Sequence, residues 1–161
     1  MTDLIFENGG TLDKYLGDGI MALFGAPIAR PDDALRSVKT AMEMQRAMAR
    51  LNEDWQARGQ PAMQAGIGVN TGPVTAGNIG STRRMDYTVI GDAVNLAARL
   101  CAKAAGGQIL VSDSTFRLLA GEVPAQKLEP ILVKGKAAPI GIYEVVWGEA
   151  FAEPADSAAV V

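Results

Sequence analysis

Residues 9–25 of the chain, GGTLDKYLGDGIMALFG, contain the clearest local structure in the sequence. Two mainly apolar runs, at residues 11–16 and 20–24, are separated only by Gly17-Asp18-Gly19. Glycine and aspartate are favoured in tight turns, and two such runs joined by so short a connection predict a β-hairpin. We therefore expect Asp18 at the tip of a hairpin.

Lys14 lies inside the first of these runs, between Leu12 and Leu16. Side chains alternate between the two faces of a strand, so the lysine is expected on the same face as both leucines. If that face is buried, the ammonium group needs a partner, and a ligand could supply it. If that face is solvated, Lys14 is a surface charge and Asp18 is a turn residue.

The segments on either side predict a mixture of helices and strands. Apolar residues at helical spacing, together with capping residues, predict helices at residues 1–8, 32–58, 93–103 and 112–120. Further strands are predicted at residues 64–69, 74–79, 85–90 and 109–111, and in short pieces between 128 and 147. The strand at 64–69 is expected to pair with the strand at 74–79. Helices and strands do not alternate strictly, which favours an α+β, ferredoxin-like sandwich.

The composition excludes several classes of function. The 161 residues suit one domain, and a hydrophobic fraction of 48% is enough to bury a core. The formal net charge of −3 argues against a broad surface for duplex DNA. The sequence contains no histidine, which excludes Ser-His-Asp triads and histidine metal sites within one chain. Any divalent metal must therefore be held mainly by oxygen atoms.

The remaining global features concern location. The chain has one cysteine, Cys101, and hence no internal disulfide, which fits a reducing cytoplasmic compartment. No apolar run approaches the roughly 20 residues of a membrane span, and the first residues lack the pattern of a signal peptide. We expect a cytoplasmic protein, or one at the cytoplasmic face of a membrane if the full-length protein is anchored. Residues 148–161 are predicted to be a flexible tail that follows a domain at residues 1–147.

A second group of candidate residues surrounds the helix predicted at 93–103. Asn95 and Arg99 stand four residues apart and therefore share one face of that helix. Arginine offers a planar fork of donors to phosphate oxygens, and asparagine offers an amide to a sugar or a phosphate. Thr88, near the end of the preceding strand, could present its hydroxyl to a base edge or simply satisfy strand propensity. The default alternative for Asn95 and Arg99 is the solvated face of an amphipathic helix.

A third candidate is the loop Val133-Lys134-Gly135-Lys136. Its two lysines could reach a triphosphate, although two lysines around a glycine are commonly only surface charge. The glycines of the chain are not followed by Gly-Lys-Ser/Thr at the spacing of a Walker phosphate loop, and there is no dinucleotide-binding fingerprint.

Five segments, in this order, resemble the class III nucleotidyl cyclases. They are residues 9–25, residues 66–80 (GIGVNTGPVTAGNIG), residues 86–100 (DYTVIGDAVNLAARL), residues 108–112 (QILVS) and residues 133–136 (VKGK). Five ordered segments at compatible spacing are a specific signal, and the resemblance runs from Met1 to about Val146. It implies an α+β, ferredoxin-like sandwich of the class III cyclase type, lacking the first strand and first helices of that fold.

The resemblance also implies roles for individual residues. Asp18 matches the second of two aspartates that hold a catalytic pair of Mg²⁺ or Mn²⁺ ions. Lys14 resembles the lysine that recognises adenine, and Thr88 occupies the position of its partner in cyclases of the bacterial type. Guanylate cyclases usually carry glutamate and a small residue or cysteine at these two positions, so this combination implies ATP as the substrate.

Three further positions match residues that handle the sugar and the phosphates. Asn95 resembles the asparagine that orients the ribose, Arg99 the arginine that stabilises the transition state, and Lys134 the lysine on the terminal phosphates. The implied reaction converts ATP to 3′,5′-cyclic AMP and pyrophosphate for cyclic-nucleotide signalling, under an upstream regulatory domain in the full-length protein. The implied enzyme is a homodimer in which Asp18 of one chain serves the nucleotide held by the other chain.

Two features depart from the family pattern. The family's first strand, which carries the other metal aspartate, would precede Met1, and a two-metal site without that carboxylate is expected to be crippled. Pro73 stands where some members have a pyrophosphate-binding arginine. A non-catalytic nucleotide-binding or dimerisation module is therefore the alternative function. Synthesis of a cyclic dinucleotide is disfavoured, because the hairpin contains Leu-Gly-Asp-Gly-Ile instead of the Gly-Gly-Asp/Glu-Glu-Phe that this chemistry requires.

Overall fold

The computed structural model describes residues 1–81, 84–132 and 138–148. The helices among these residues are α1 (Thr2–Glu7), α2 (Asp33–Ala57), α3 (Asp92–Lys103) and α4 (Asp113–Leu118). The strands are β1 (Thr11–Leu16), β2 (Gly19–Leu23), β3 (Ile67–Val69), β4 (Thr75–Ser81), β5 (Arg84–Ile90), β6 (Ile109–Ser112), β7 (Ala125–Ile131) and β8 (Ile140–Val145). The predicted mixture of helices and strands is confirmed.

The centre of the fold is a four-stranded sheet in the order β3-β6-β8-β7. Strand β3 runs parallel to β6, whereas the other two pairings are antiparallel. Every residue of β6 is buried. Because side chains alternate along a strand, such burial requires a layer of structure on each face of the sheet.

Helices α2 and α3 supply those two layers. Ile109 and Val111 of β6 belong to one core cluster with the α2 residues Val38, Ala41 and Met42. Leu110, between them, belongs to a second cluster with Leu96 and Leu100 of α3 and Ile142 of β8. The apolar residues at helical spacing within residues 32–58 therefore predicted α2 correctly. The two helices cover both faces of the sheet.

Helix α3 lies directly against strand β3 at Gly68. A Cβ atom at Gly68 would lie 2.2 Å from the amide nitrogen of Cys101 and 2.7 Å from the carbonyl oxygen of Ala97. Both atoms belong to the backbone of α3, so the contact cannot be relieved by turning a side chain. The absence of a side chain at Gly68 thus sets the distance between α3 and the sheet.

We expect Gly68→Ala to displace α3 and to lower the free energy of unfolding by about 1–3 kcal/mol, the usual range for overpacking. The matched control is Gly141→Ala in β8, where an added Cβ would meet only the Asp113 side chain, at an ordinary 3.5 Å. Urea unfolding followed by circular dichroism measures both variants. Equal midpoints for the two variants would contradict the close packing of α3.

One predicted strand pairing is wrong. Strand β3 does not pair with β4; it joins β6, and β4 pairs with β5 along residues 75–81 and 84–90. The turn residues between β3 and β4 suggested a hairpin. However, β3 is a short strand in a parallel pair, whose partner is about 40 residues away in sequence. Hydrophobic pattern alone does not reveal such a non-local partner.

Two hairpins complete the fold, and each forms a two-stranded sheet of its own. They are β1–β2 and β4–β5. The helix at the start of the chain, α1, has Asn8 as its C-cap, and the next residue, Gly9, has a positive φ of 67°. No helix among the described residues is long and apolar enough to cross a membrane.

Candidate functional site

The first candidate residue, Asp18, lies at the tip of hairpin β1–β2. Leu16 and Gly19 are paired across the turn, which leaves Gly17 and Asp18 as a two-residue connection. Gly17 has φ 65°, while Asp18 has no positive φ, which is the pattern of a type II′ turn. Asp18 is exposed. The predicted location of this carboxylate is confirmed.

The position of Lys14 differs from the prediction because β1 contains a bulge. Leu12 pairs with Ala22 and Lys14 pairs with Met21, so Asp13 is an extra residue without a partner in β2. Adjacent residues of β2 point to opposite faces, and Lys14 therefore does not share a face with Leu12. Lys14 still lies on the same face of β1 as Leu16. The bulge also directs the side chain of Asp13, the extra residue, inward.

Asp13 connects the two predicted base-recognition residues. Its Oδ2 atom accepts a hydrogen bond of 3.0 Å from Thr88 Oγ1 and lies 3.3 Å from Lys14 Nζ. The Asp13 side chain is 0% exposed, whereas that of Lys14 is 41% exposed. We call these three residues the Asp13 cluster. It joins hairpin β1–β2 to hairpin β4–β5 and places Lys14 and Thr88 on the same carboxylate oxygen.

Asp13 was not predicted from the sequence. The available signal was a second charge beside Lys14 in a mainly apolar run, since a carboxylate in such a run is buried only when it has partners. Its other oxygen, Oδ1, is buried and has no hydrogen-bond partner among the described residues. An unsatisfied buried carboxylate oxygen is uncommon and unfavourable.

The other candidate residues lie on α3. Asn95 and Arg99 are both exposed, while Leu96 and Leu100 of the same helix are buried in the core. The expected polar stripe on one face is therefore confirmed. The helix carries these side chains on a rigid element, because its opposite face is fixed against the sheet at Gly68.

The first turn of α3 is held by a small polar network. Asn70, just after β3, donates its side-chain amide to the carbonyl oxygen of Ala93 at 2.8 Å. The amide oxygen of Asn70 accepts a 2.6 Å hydrogen bond from Ser112 Oγ at the end of β6. These contacts fix the start of the helix relative to two strands of the central sheet, and thereby position Asn95.

Arg99 lines an open cleft of about 440 Å³ between α3 and the end of β7. Its other lining residues are Lys103, Pro130, Ile131 and Leu132. Arg99 and Lys103 stand four residues apart and bring two positive charges to one side of this cleft. The cleft is suited to an anion such as a phosphate chain. Lys103 was not selected from the sequence, although its spacing from Arg99 was a usable signal.

Lys134, predicted to contact the terminal phosphates, lies outside the described residues. Among the described residues, no three histidine, cysteine, aspartate or glutamate side chains gather into a group able to hold a metal ion. Asp18 thus offers one carboxylate at an exposed turn. Because Mg²⁺ and Mn²⁺ need several oxygen ligands, these residues alone do not fit a two-metal centre.

Comparison with known proteins identifies relatives of this arrangement. Residues 2–146 match the model of the adenylate and guanylate cyclase catalytic domain. An adenylate cyclase of Anabaena cylindrica is 41% identical over 154 residues, which cover 90% of this chain but only 30% of that protein. The chain thus spans less than a third of the length of this relative.

Solved structures of the same class superimpose closely. The adenylyl cyclase CyaB of P. aeruginosa has a TM-score of 0.85 and 38% identity, covering 90% of this chain and 76% of that chain. The guanylyl cyclase Cya2 also has a TM-score of 0.85, with 39% identity and coverage of 96% and 77%. These matches confirm the predicted resemblance and the α+β sandwich. One of these neighbours is an adenylyl cyclase and the other a guanylyl cyclase. The fold alone therefore does not show which purine base the substrate carries.

Proposed function

The chain belongs to the adenylate and guanylate cyclase catalytic domain family, and from this premise we propose that it is the larger part of an adenylate cyclase domain. The proposed reaction converts ATP to 3′,5′-cyclic AMP and pyrophosphate. The observation that carries the choice of ATP is the Asp13 cluster, in which Lys14 and Thr88 meet on one carboxylate oxygen.

The choice of base follows from hydrogen-bond chemistry. Adenine presents a ring acceptor, N1, beside an exocyclic donor, the 6-amino group. An ammonium group has donors only, and a threonine hydroxyl can accept as well as donate. We assign Lys14 to N1 and Thr88 to the 6-amino group. In the same pose guanine would direct its N1–H at the ammonium group and its O6 at the hydroxyl.

The sugar and the phosphates are assigned to the exposed face of α3 and the adjacent cleft. Asn95 would orient the ribose through its amide, and Arg99 would contact the α-phosphate with its guanidinium fork. Lys103 would add positive charge beside the phosphate chain, as its position in the cleft supports. Lys134, which is not among the described residues, is proposed for the terminal phosphates.

The reaction itself is an internal phosphoryl transfer. The ribose 3′-oxygen attacks the α-phosphorus in line and loses its proton, while the bond from that phosphorus to the bridging oxygen of pyrophosphate breaks. Negative charge grows on the α-phosphate and on the leaving oxygen. Donors already fixed around those oxygens stabilise the transition state more than the ground state, and this is the role proposed for Arg99.

Divalent metal is the proposed cofactor, with Asp18 as one of its ligands. The described residues do not complete a two-metal site, so the remaining oxygen ligands must come from elsewhere. No step of the reaction above is therefore assigned to a metal ion in this chain.

A homodimer is the proposed assembly. Large apolar side chains are exposed on both hairpins: Tyr15, Leu16 and Ile20 on β1–β2, and Met85, Tyr87 and Ile90 on β4–β5. Several large apolar side chains exposed on the same hairpins support a surface that binds a partner. In a two-fold dimer Asp18 of one chain would approach the nucleotide held by Lys14, Asn95 and Arg99 of the other.

Turnover tests the proposed function. A form of the protein that also includes the family's first strand is expected to produce cyclic AMP from ATP with Mn²⁺ or Mg²⁺, measured by chromatography of the nucleotides. The same form with Asp18→Ala is the control and should lose most of this activity. Binding of ATP without a cyclic product would contradict the proposal.

A second candidate is a non-catalytic nucleotide-binding or dimerisation module, which the exposed apolar side chains of the two hairpins also support. For such a module Asp18→Ala would leave ATP binding unchanged, and no form of the protein would release pyrophosphate. We prefer the enzyme because Asn95 and Arg99 on α3 offer groups suited to the sugar and phosphates of ATP, and the Asp13 cluster offers groups suited to its base.

A further inference from the structure

The Asp13 cluster contains a carboxylate for which the roles assigned above do not account. Asp13 is the extra residue of the bulge in β1, and its side chain is fully buried. One oxygen serves both Thr88 and Lys14, and the other has no partner among the described residues. Bulges that aim a side chain, and buried polar groups left unsatisfied, both occur preferentially at functional sites.

The hydrogen bond between Asp13 and Thr88 has a defined direction. Asp13 Oδ2 is the acceptor, so the hydroxyl hydrogen of Thr88 points at this oxygen. The lone pairs of Thr88 Oγ1 are then left for a ligand. A threonine hydroxyl is normally able to donate or accept by rotating, but here the rotation is fixed by a buried neighbour.

The same oxygen also constrains Lys14. Its ammonium group lies 3.3 Å from Asp13 Oδ2 and is only partly exposed. This ion pair holds the ammonium group beside Thr88, and an ammonium group offers only donors to a ligand. The cluster therefore presents a donor, from Lys14, beside an acceptor, from Thr88.

We propose that Asp13 is a positioning residue that sets base selectivity by making Thr88 an obligate hydrogen-bond acceptor. This inference rests on the proposed function, since it requires Lys14 and Thr88 to meet the purine edge. A 6-amino group can donate to Thr88, whereas the O6 of a 6-oxopurine would face the lone pairs of the hydroxyl. Without Asp13 the hydroxyl could turn and donate to O6.

Two nucleotides test this step directly. ATP and inosine triphosphate differ at the 6-position and at N1, while their sugar and phosphates are identical. The experiment measures the affinities of the 161-residue chain for both by calorimetry, without turnover. The unaltered chain should bind ATP more tightly. Asp13→Asn, whose amide can either donate or accept, should reduce the ratio of the two affinities by about fivefold, the value of one hydrogen bond.

A matched control separates positioning from general damage. Asp113 also accepts a hydrogen bond, from Tyr143, and pairs with Arg117, but it lies on α4. Asp113→Asn should leave the ratio of affinities unchanged. A second variant, Asp13→Ala, is included because it removes the unsatisfied oxygen together with the charge. The same loss of selectivity is expected from Asp13→Ala, even if Asp13→Asn is too unstable to measure.

Coupling to Thr88 supplies the decisive comparison. In a Thr88→Val background, Asp13→Asn should change the ratio much less than it does alone, because the hydroxyl on which it acts is gone. If Thr88→Val reduces selectivity but both Asp13 variants retain it, the inference about Asp13 is wrong and the proposed base recognition stands. If the unaltered chain and Thr88→Val bind both nucleotides equally, the proposed base recognition fails as well.

Discussion

Replacing Arg99 with alanine is expected to lower kcat for cyclic AMP formation by about 10²–10³-fold in a form of the protein that includes the family's first strand. Arg99 is exposed on α3 and lines the cleft assigned to the phosphates. Its guanidinium would meet charge that grows only as the α-phosphorus is attacked. The effect should therefore fall mainly on kcat and much less on KM. Steady-state assays over a range of ATP concentrations separate the two constants.

Arg117→Ala is the control for loss of an arginine. Arg117 is also exposed and helical, but it lies on α4 and pairs with Asp113. It should leave both constants within about twofold of the unaltered protein, as is usual for a surface substitution. If Arg99→Ala lowers kcat by less than tenfold, or changes only KM, then Arg99 does not stabilise the transition state.

Mixing two inactive variants extends the same prediction to the dimer. Arg99→Ala and Asp18→Ala remove groups that, in the proposed dimer, reach one active site from different chains. Random mixing gives half heterodimers, each with one intact site, so about a quarter of the full activity should return. Without recovery in a mixture that forms dimers, Asp18 and Arg99 would have to serve a site within one chain.

The sequence predicted the local elements better than their partners. The Gly17-Asp18 turn and the α2 stripe are local patterns, and both appear in the structure as expected. The pairing of β3 was wrong because its partner, β6, is distant in sequence, and a three-residue strand carries little pattern of its own. The close approach at Gly68 was also missed, since a glycine in a strand does not show which backbone lies against it.

In the candidate site, too, local features were predicted and features that depend on distant contacts were not. Asn95 and Arg99 follow from helical spacing and lie together on the exposed face of α3. The Asp13 cluster depends on a bulge and on a contact between residues 75 positions apart. A bulge reverses strand alternation. Regular alternation puts Lys14 on the face of Leu12, whereas the bulge separates them and directs Asp13 inward.

The second large effect concerns the base. Lys14→Glu combined with Thr88→Cys is expected to shift the ratio of GTP to ATP affinity toward GTP, and the complete shift is about 10²-fold because two polar contacts reverse their preference. A carboxylate at position 14 can accept from the N1–H and 2-amino groups of guanine, which an ammonium group cannot. Competition binding with ATP and GTP measures the ratio.

The buried carboxylate of Asp13 is expected to limit the shift toward GTP in the double variant. Glutamate at position 14 would stand next to the buried carboxylate of Asp13, whose Oδ2 lies 3.3 Å from the present ammonium group. Two like charges at such a distance destabilise each other, and Asp13 has no second cation beside it among the described ion pairs. We therefore expect the double variant to be less stable and to gain only part of its preference for GTP.

Adding Asp13→Asn to the double variant should restore stability and complete the shift, because the amide can donate to the new carboxylate and no longer opposes its charge. The same substitution made alone weakens selectivity without creating a preference for GTP. Thermal unfolding and competition binding of the double and triple variants provide the comparison. If the triple variant prefers ATP as strongly as the unaltered chain does, then Lys14 and Thr88 do not read the base, and the case for ATP loses its structural support.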